Sequence, residues 1–213
     1  MISPRDRVMM AIDHREPDRV PLGAYTLTDV CYRNLRQHLG LCPRPMRYGG
    51  DVSDVVHAHE DVMQRFGLDT RDVAPTTTTP RPATHESDQY YEDDIGVGFR
   101  KYGVYYYFPV GHPLAGKRTV ADVEAHPWPH AEHTASATAL AEEARRLRAE
   151  TDCALVMSVG GTMFAYAWFL CGEEWFIHLA SNPPFVDALM DKLLERELAR
   201  AEAILSAVGP DGI

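Results

Sequence analysis

The stretch at residues 153–172 constrains the fold of this chain more than any other segment. It opens with a continuous apolar run at 153–159, which is short and does not alternate with polar residues. Such a run is typical of a strand buried on both faces, as in a parallel sheet. Gly160 and Gly161 follow, and a backbone without Cβ atoms can turn sharply or approach a ligand closely. The apolar spacing becomes helical from Thr162, so the segment predicts a strand, a turn and a helix.

This strand and turn allow two interpretations. In the first, they form a buried strand, a tight turn and a core helix without a functional role. In the second, residues 158–162 lie at the carboxyl end of a barrel strand, where such folds place their active sites. The local sequence leaves both interpretations open.

Composition excludes several classes of protein. The 213 residues are 45% hydrophobic and 24% charged, which is enough apolar material for a core. The net charge of −10 comes from interleaved acidic and basic residues, which argues against a nucleic-acid-binding surface. No segment approaches the roughly 20 apolar residues that a membrane span needs, and the first residues lack the apolar run of a signal peptide. The sequence therefore predicts a cytoplasmic protein without a membrane segment.

Capping residues, glycines and apolar spacing predict the remaining elements. Helices are expected at about 4–13, 28–39, 52–66, 119–125, 135–149, 173–180 and 184–208. Strands are expected at 20–24 and 68–74, besides the central one, and a β-hairpin is expected near 95–110.

Three strands suited to a parallel sheet are fewer than a closed (β/α)8 barrel needs. Such a barrel has eight strands and typically about 250 residues. The sequence therefore predicts an α/β fold, a truncated TIM barrel in which residues 1–213 form a single domain with an inserted hairpin. The unpaired strand edges of a partial barrel favour association, so the isolated chain is expected to aggregate and to be inactive.

Several collinear motifs together carry a family resemblance. They are PRDRV at 4–8, EPDRVP at 16–21, FGLDTR at 66–71, DIGVGFRK at 94–101, HPL at 112–114, PWP at 127–129, and SVGGT at 158–162 with Gly172. With these motifs the chain resembles the uroporphyrinogen decarboxylase superfamily and, within it, the corrinoid-linked methyltransferase branch. The resemblance implies a TIM barrel and, because members of the family are longer, a chain that represents the amino-terminal part of the fold.

Departures from the family's pattern distinguish the two branches. In an ungapped alignment, the arginines with which true decarboxylases hold substrate carboxylates fall on Thr26 and Val30, and their catalytic aspartate falls near Thr76. Their pocket tyrosine falls on Trp168. A polycarboxylate substrate needs cationic partners, and these positions are neutral. The resemblance therefore implies that the chain does not decarboxylate uroporphyrinogen. The predicted substrate-binding residues are Thr26, Thr76, Ser158, Gly160, Gly161 and Trp168, and no catalytic residue is assigned.

The methyltransferase branch implies a cofactor and a partner. Family members use zinc to turn an acceptor thiol into a thiolate, because coordination deprotonates the thiol. The resemblance places the zinc ligands, a His-x-Cys and a distant Cys, beyond Ile213, so this segment is expected to bind no metal. A partner protein supplies the corrinoid, and the substrate is a small molecule. The alternatives are a decarboxylase-like lyase that acts on a smaller substrate and a non-catalytic barrel fragment that only binds a ligand or a partner.

Histidines and cysteines within the chain offer weaker candidates for chemistry. His126, His130 and His133 alternate with prolines, which favours a solvated linker over a metal site. His57 and Asp61 are one helical turn apart and are expected to pair on the surface. The four cysteines, at 31, 42, 153 and 171, form no CxxC pair, so reduced thiols are expected, with those at 153 and 171 buried as small apolar side chains.

Overall fold

The computed structural model describes residues 2–24, 26–49, 55–74, 76–77, 90–102, 106–129, 134–157 and 163–209, with the backbone alone at 76–77, 106 and 134–136. The helices in these ranges are α1 (Pro4–Ile12), α2 (Asp29–His38), α3 (Glu60–Arg65), α4 (Val120–Glu124), α5 (Thr134–Glu150), α6 (Met163–Cys171), α7 (Glu174–Ser181) and α8 (Pro183–Val208). The strands are β1 (Leu27–Thr28), β2 (Tyr48–Gly49), β3 (Val55–Val56), β4 (Thr70–Asp72), β5 (Thr76–Thr77), β6 (Tyr90–Glu92), β7 (Gly98–Tyr102), β8 (Tyr106–Gly111) and β9 (Ala154–Val156). None of these helices is both long and apolar enough to cross a bilayer.

The prediction of a TIM barrel is wrong. The strands in the described ranges form a four-stranded sheet, a two-stranded sheet and a three-stranded sheet, and none of them closes. Only the two-stranded sheet is parallel. The expected first strand, at 20–24, forms no ladder. The backbone N–H of Asp69 donates to the carbonyl of Leu22, and the N–H of Leu22 donates to the side-chain carboxylate of Asp69. Local apolar patterns located β4 and β9 but failed at 20–24, and closure requires a partner on both sides of every strand.

The chain, which the sequence predicts to be one domain, divides into two compact units. Unit 1 contains residues 1–81, 133–158 and 203–213, and unit 2 contains residues 82–132 and 159–202. Each unit therefore combines stretches that are distant in sequence.

In unit 1 the central strand predicted from the sequence pairs in parallel with β4. Thr70 lies opposite Ala154, and Asp72 lies opposite Val156. Helices α1 and α5 pack against β9. Ala154 and Leu155 are buried, as expected for a covered parallel strand, but Val156 is 41% exposed at the carboxyl end.

The buried carboxylate of Asp69 joins the amino-terminal segment to this parallel pair. Its oxygens accept hydrogen bonds from the guanidinium groups of Arg7 and Arg19 and from the backbone N–H of Leu22. Arg7, which is 6% exposed, also forms two hydrogen bonds with Asp18. Burial alone would raise the pKa of Asp69, but these hydrogen bonds outweigh it and hold the pKa below its usual range. We call Arg7, Asp18, Arg19 and Asp69 the Asp69 cluster.

The four-stranded sheet of unit 1 is antiparallel, in the order β1–β3–β2–β5. It lies with α2 around the buried side chains of Tyr32, Tyr48, Val56 and Val62. Thr28 caps α2, because its side-chain oxygen accepts from the N–H of Cys31. The predicted helix at 52–66 is wrong over its described first part. Residues 55–56 form β3 there, and the helix begins only at Glu60.

Unit 2 contains the predicted hairpin, which is confirmed. Strands β7 and β8 pair in antiparallel fashion from Tyr102 opposite Tyr106 to Gly98 opposite Gly111, and β6 extends the sheet. Tyr91, Phe99 and Tyr107 pack from this sheet into a cluster with buried residues of α6, α7 and α8. The long carboxyl-terminal helix buries Phe185, Leu189 and Leu193 in this cluster, within unit 2.

The loop after β8 satisfies the carboxyl end of α6. The Nδ1–H of His112 donates to the carbonyl of Phe169 at 2.7 Å, and the N–H of Leu114 donates to the carbonyl of Leu170 at 2.9 Å. Gly172 ends the helix with φ +65°, and a Cβ atom there would lie 3.1 Å from the His112 ring. The glycine is thus needed both for the left-handed backbone and for the space that the imidazole fills.

Replacing Asp69 by asparagine should lower the free energy of unfolding by about 3 kcal/mol, because the buried Arg7 would keep only Asp18 as a charged partner and Arg19 would lose its carboxylate. Urea denaturation measures this difference. Asp13→Asn is a matched control, since Asp13 is half exposed and, among the described residues, its ion pair is with the exposed Arg15. The expected loss for that variant is below about 1 kcal/mol. Equal losses in the two variants would mean that the Asp69 cluster contributes no more to the free energy of unfolding than an exposed ion pair does.

Asp93 gives unit 2 a pH-dependent stability. Burial, reinforced by the neighbouring charge of Asp94, raises its pKa to about 6, although the N–H groups of Ile95 and Val97 donate to its carboxylate. Because the pKa is higher in the folded state, folding favours the protonated carboxyl. Its contribution to stability is complete below about pH 4 and is lost as the pH rises through 6.

The variant Asp93→Asn keeps an acceptor for both N–H groups without the charge. It should be more stable than the wild type by about 1–2 kcal/mol at pH 8, and this advantage should disappear below about pH 4. Urea denaturation at several pH values measures the difference, with the exposed Asp187→Asn as control. A difference that does not depend on pH would contradict this account of Asp93.

Candidate functional site

Two of the predicted substrate-binding residues lie on opposite edges of one sheet. Thr26 directly precedes β1, whereas the backbone of Thr76 belongs to β5. Strands β3 and β2 lie between them, so at about 4.8 Å per strand the two edges are roughly 14 Å apart. The structure therefore does not bring Thr26 and Thr76 together.

The other predicted residues are divided between unit 2 and stretches that the structure does not describe. Trp168 lies on α6 of unit 2, where it is 37% exposed and contacts the rings of Phe169 and Phe176. Ser158, Gly160 and Gly161 lie outside the described residues, so their predicted role stays a prediction. Val30 lies in the first turn of α2.

Instead, the structure places a histidine–aspartate pair at the carboxyl end of β4. Nδ1 of His57 lies 3.7 Å from Oδ2 of Asp72, and the two side chains are only 6% and 11% exposed. Asp72 is the last residue of β4, and His57 directly follows β3, held by its N–H bond to the carbonyl of Arg47 at 2.9 Å. Carboxyl ends of parallel strands are the usual position of ligand sites in α/β proteins.

An imidazole beside a carboxylate can move protons. At 3.7 Å the carboxylate acts through its charge, which stabilises the imidazolium that forms when the other ring nitrogen takes a proton. In His57 that other nitrogen is Nε2, which lies on the side of the ring away from Nδ1 and Asp72. The pair is therefore the candidate functional site in unit 1.

The sequence reasoning missed this pair because it placed His57 on a helix. The prediction that His57 and Asp61 pair on the surface is wrong. His57 is buried beside Asp72, and Asp61 accepts two hydrogen bonds from Arg36, at 2.9 and 3.0 Å. The adjacent valines of β3 were the available signal, because β-branched residues favour strands.

The described residues do not fit a zinc ion. Among them no group of three or more His, Cys, Asp or Glu side chains is placed to hold a metal. His126 is not part of a solvated linker: its Nε2–H donates to the carbonyl of Ile95 at 3.1 Å, and burial lowers its pKa. His130 and His133 lie outside the described residues.

Two of the four cysteines are buried, as predicted. Burial raises the pKa of Cys153 and raises that of Cys171 to about 12, so neither is a thiolate near neutral pH. The thiols of Cys31 and Cys42 are exposed.

Comparison of this chain with family models, with curated proteins and with solved structures finds no match.

Thiol reactivity should separate the cysteines into two pairs. At pH 8 the folded protein should react with a disulfide reagent at Cys31 and Cys42 only, and all four thiols should react in denaturant. Absorbance of the released chromophore counts the reacting groups. The double variant Cys31→Ser/Cys42→Ser should show no fast reaction when folded. A fast reaction in that variant would mean that Cys153 or Cys171 is accessible.

Proposed function

We propose that this protein takes part in corrinoid-linked methyl transfer to a small thiol, as a member of the uroporphyrinogen decarboxylase superfamily. The observation that carries the proposal is the convergence of the resembling motifs on the Asp69 cluster. Arg7 comes from the first motif, Asp18 and Arg19 from the second, and Asp69 from the third. Motifs that are far apart in sequence thus meet in one cluster of unit 1.

The position of this cluster also supports the proposal. Asp69 precedes β4, so the motifs gather at the amino end of the parallel pair and leave its carboxyl end for chemistry. Arg5, from the first motif, reaches the same end of β9 through the carbonyl of Cys153. The SVGGT motif follows the opposite, carboxyl end of β9 in sequence.

The charge at the carboxyl end of β4 favours a thiol acceptor over a porphyrinogen. Asp72 ends that strand, and a carboxylate repels a substrate that is itself a polycarboxylate. Thr26 and Val30, which align with the arginines of the decarboxylases, are neutral and do not compensate this charge. Decarboxylation of uroporphyrinogen is therefore the less favoured reaction.

Within this proposal His57 accepts the proton of the acceptor thiol. Methyl transfer joins the thiol sulfur to the methyl carbon, leaves the electron pair of the cobalt–carbon bond on cobalt, and releases the thiol proton. Nε2 of His57 takes that proton, and Asp72 at 3.7 Å stabilises the resulting imidazolium. Because the described residues do not fit zinc, no step is assigned to a metal. The family resemblance, and not the structure, is what places zinc ligands beyond Ile213.

The first test of this proposal is the coding sequence downstream of Ile213, followed by an assay of its whole product. A His-x-Cys and a later Cys should be encoded there. The product, given methylcobalamin and 2-mercaptoethanol, should form the methyl thioether, which mass spectrometry detects. The 213-residue chain alone should form none.

Variants of the whole product then test His57. His57→Asn should lower the rate by about 100-fold, the usual contribution of a general base. The exposed His38→Asn, on α2, should leave it unchanged. Absence of thioether would reject the proposal, and formation of coproporphyrinogen from uroporphyrinogen would replace it with decarboxylation.

A further inference from the structure

A second region of unit 1 has the properties of a ligand site, independently of His57 and Asp72. A cavity of about 440 Å³ lies among α3, the loop before β2 and the last turns of α5. This volume is within the usual range for small-molecule sites. Its charged lining consists of Arg44, Arg47, Arg146, Glu60, Glu143 and Glu150, and His59 lies beside them.

Hydrogen-bond counting fixes the tautomer of His59. The hydroxyl of Tyr32 accepts from the backbone N–H of His59 at 2.7 Å and from the guanidinium of Arg36 at 3.2 Å. Its own proton is therefore free to be donated to Nδ1 of His59, which lies 2.7 Å away. Because Nδ1 accepts, the proton of the neutral ring is on Nε2.

His59 remains neutral near pH 7. Burial lowers its pKa, and the positive charges of Arg36, Arg47 and Arg44 lower it further, against a weaker opposing effect of Asp61. Nε2–H is thus a neutral donor in a positively charged environment. It has no hydrogen-bond partner within the part of the chain that the structure describes.

The carboxylates that line the cavity are already engaged. Glu60 accepts two hydrogen bonds from Arg71, at 2.8 and 2.7 Å. Glu143 accepts from Arg146 and Arg47, and Glu150 accepts from Arg146. Each negative charge of the lining is therefore compensated by an arginine.

Arg44 is different from these paired groups. It makes no hydrogen bond to any described residue, and its ion pair with Asp61 spans 3.7 Å. That carboxylate already accepts two shorter hydrogen bonds from Arg36. With 53% of its side chain exposed, the guanidinium of Arg44 retains most of its donors at the cavity.

We propose that this cavity binds a small oxyanion, whose oxygens accept hydrogen bonds from the guanidinium of Arg44 and from Nε2–H of His59. A planar guanidinium fork matches phosphoryl and carboxylate groups equally well. The ligand is therefore a small molecule that carries one of these groups, and the experiment distinguishes them.

NMR of the His59 ring during titration with inorganic phosphate, and separately with acetate, tests the proposal. Sodium chloride keeps the ionic strength constant. At least one of the two anions should cause a saturable shift of the ring resonances, and the better ligand identifies the preferred group. Bound anion should also raise the pKa of His59, because a nearby negative charge favours the imidazolium.

Two arginine variants make the test specific. Arg44→Gln should weaken binding by about tenfold or more, through the loss of a charge-assisted hydrogen bond. Arg15→Gln removes another exposed guanidinium that does not line the cavity, and it should leave the affinity unchanged. Circular dichroism verifies that both variants fold.

Three results would overturn the proposal: no saturable shift with either anion, unchanged affinity in Arg44→Gln, or equal weakening by Arg15→Gln. Equal weakening would mean that anion binding depends only on the overall charge of the protein and not on a specific site. None of these results bears on methyl transfer, because the assay reads binding at His59 and not activity at His57.

Discussion

A single buried carboxylate connects the amino-terminal segment to the rest of unit 1. The carboxylate of Asp69 accepts hydrogen bonds from Arg7 and Arg19. Its backbone carbonyl accepts from the N–H of Ala154, at the start of β9, and its N–H donates to the carbonyl of Leu22. An ionised carboxylate in such a position is tolerated only when nearly every lone pair has a donor. Besides the contacts of α1 and Arg5 with β9, this satisfied charge helps to hold α1 and the extended segment after it against the parallel pair.

The two units are stabilised by different interactions. Unit 1 places buried arginines against carboxylates, with Arg7, Arg36 and Arg71 each 6% exposed or less and each engaged by an acidic partner. Unit 2 relies on packed aromatic rings and on Trp175 and Phe185, which are fully buried. Polar groups with fixed donors suit a region that recognises charged or protonatable ligands. The candidate sites at His57 and His59 both lie in that unit.

The sequence predicted the features that depend on neighbouring residues. Ser3 and Thr119 cap helices as expected, because a capping oxygen bonds an N–H only two or three residues away. Gly67 and Gly209 adopt the left-handed conformation that ends a helix. The predictions failed where the structure depends on contacts between residues that are distant in sequence. Residues 55–59 fitted a helical pattern, but pairing with β1 and β2 holds Val55 and Val56 in a strand and brings the following His57 to Asp72. Barrel closure, similarly, cannot be read from the pattern of any one strand.

The separation in sequence of the parallel pair has a consequence for the order of folding during synthesis. Leu68 and Cys153, which contact each other at the amino end of the pair, are 85 positions apart. The Asp69 cluster, by contrast, needs nothing beyond residue 69. On the ribosome, where roughly 5–20 residues are added each second, β4 emerges several seconds before its partner strand. The Asp69 cluster can therefore form first and order the nascent segment. When β9 emerges, it pairs with β4 next to a carboxylate that the arginines have already neutralised.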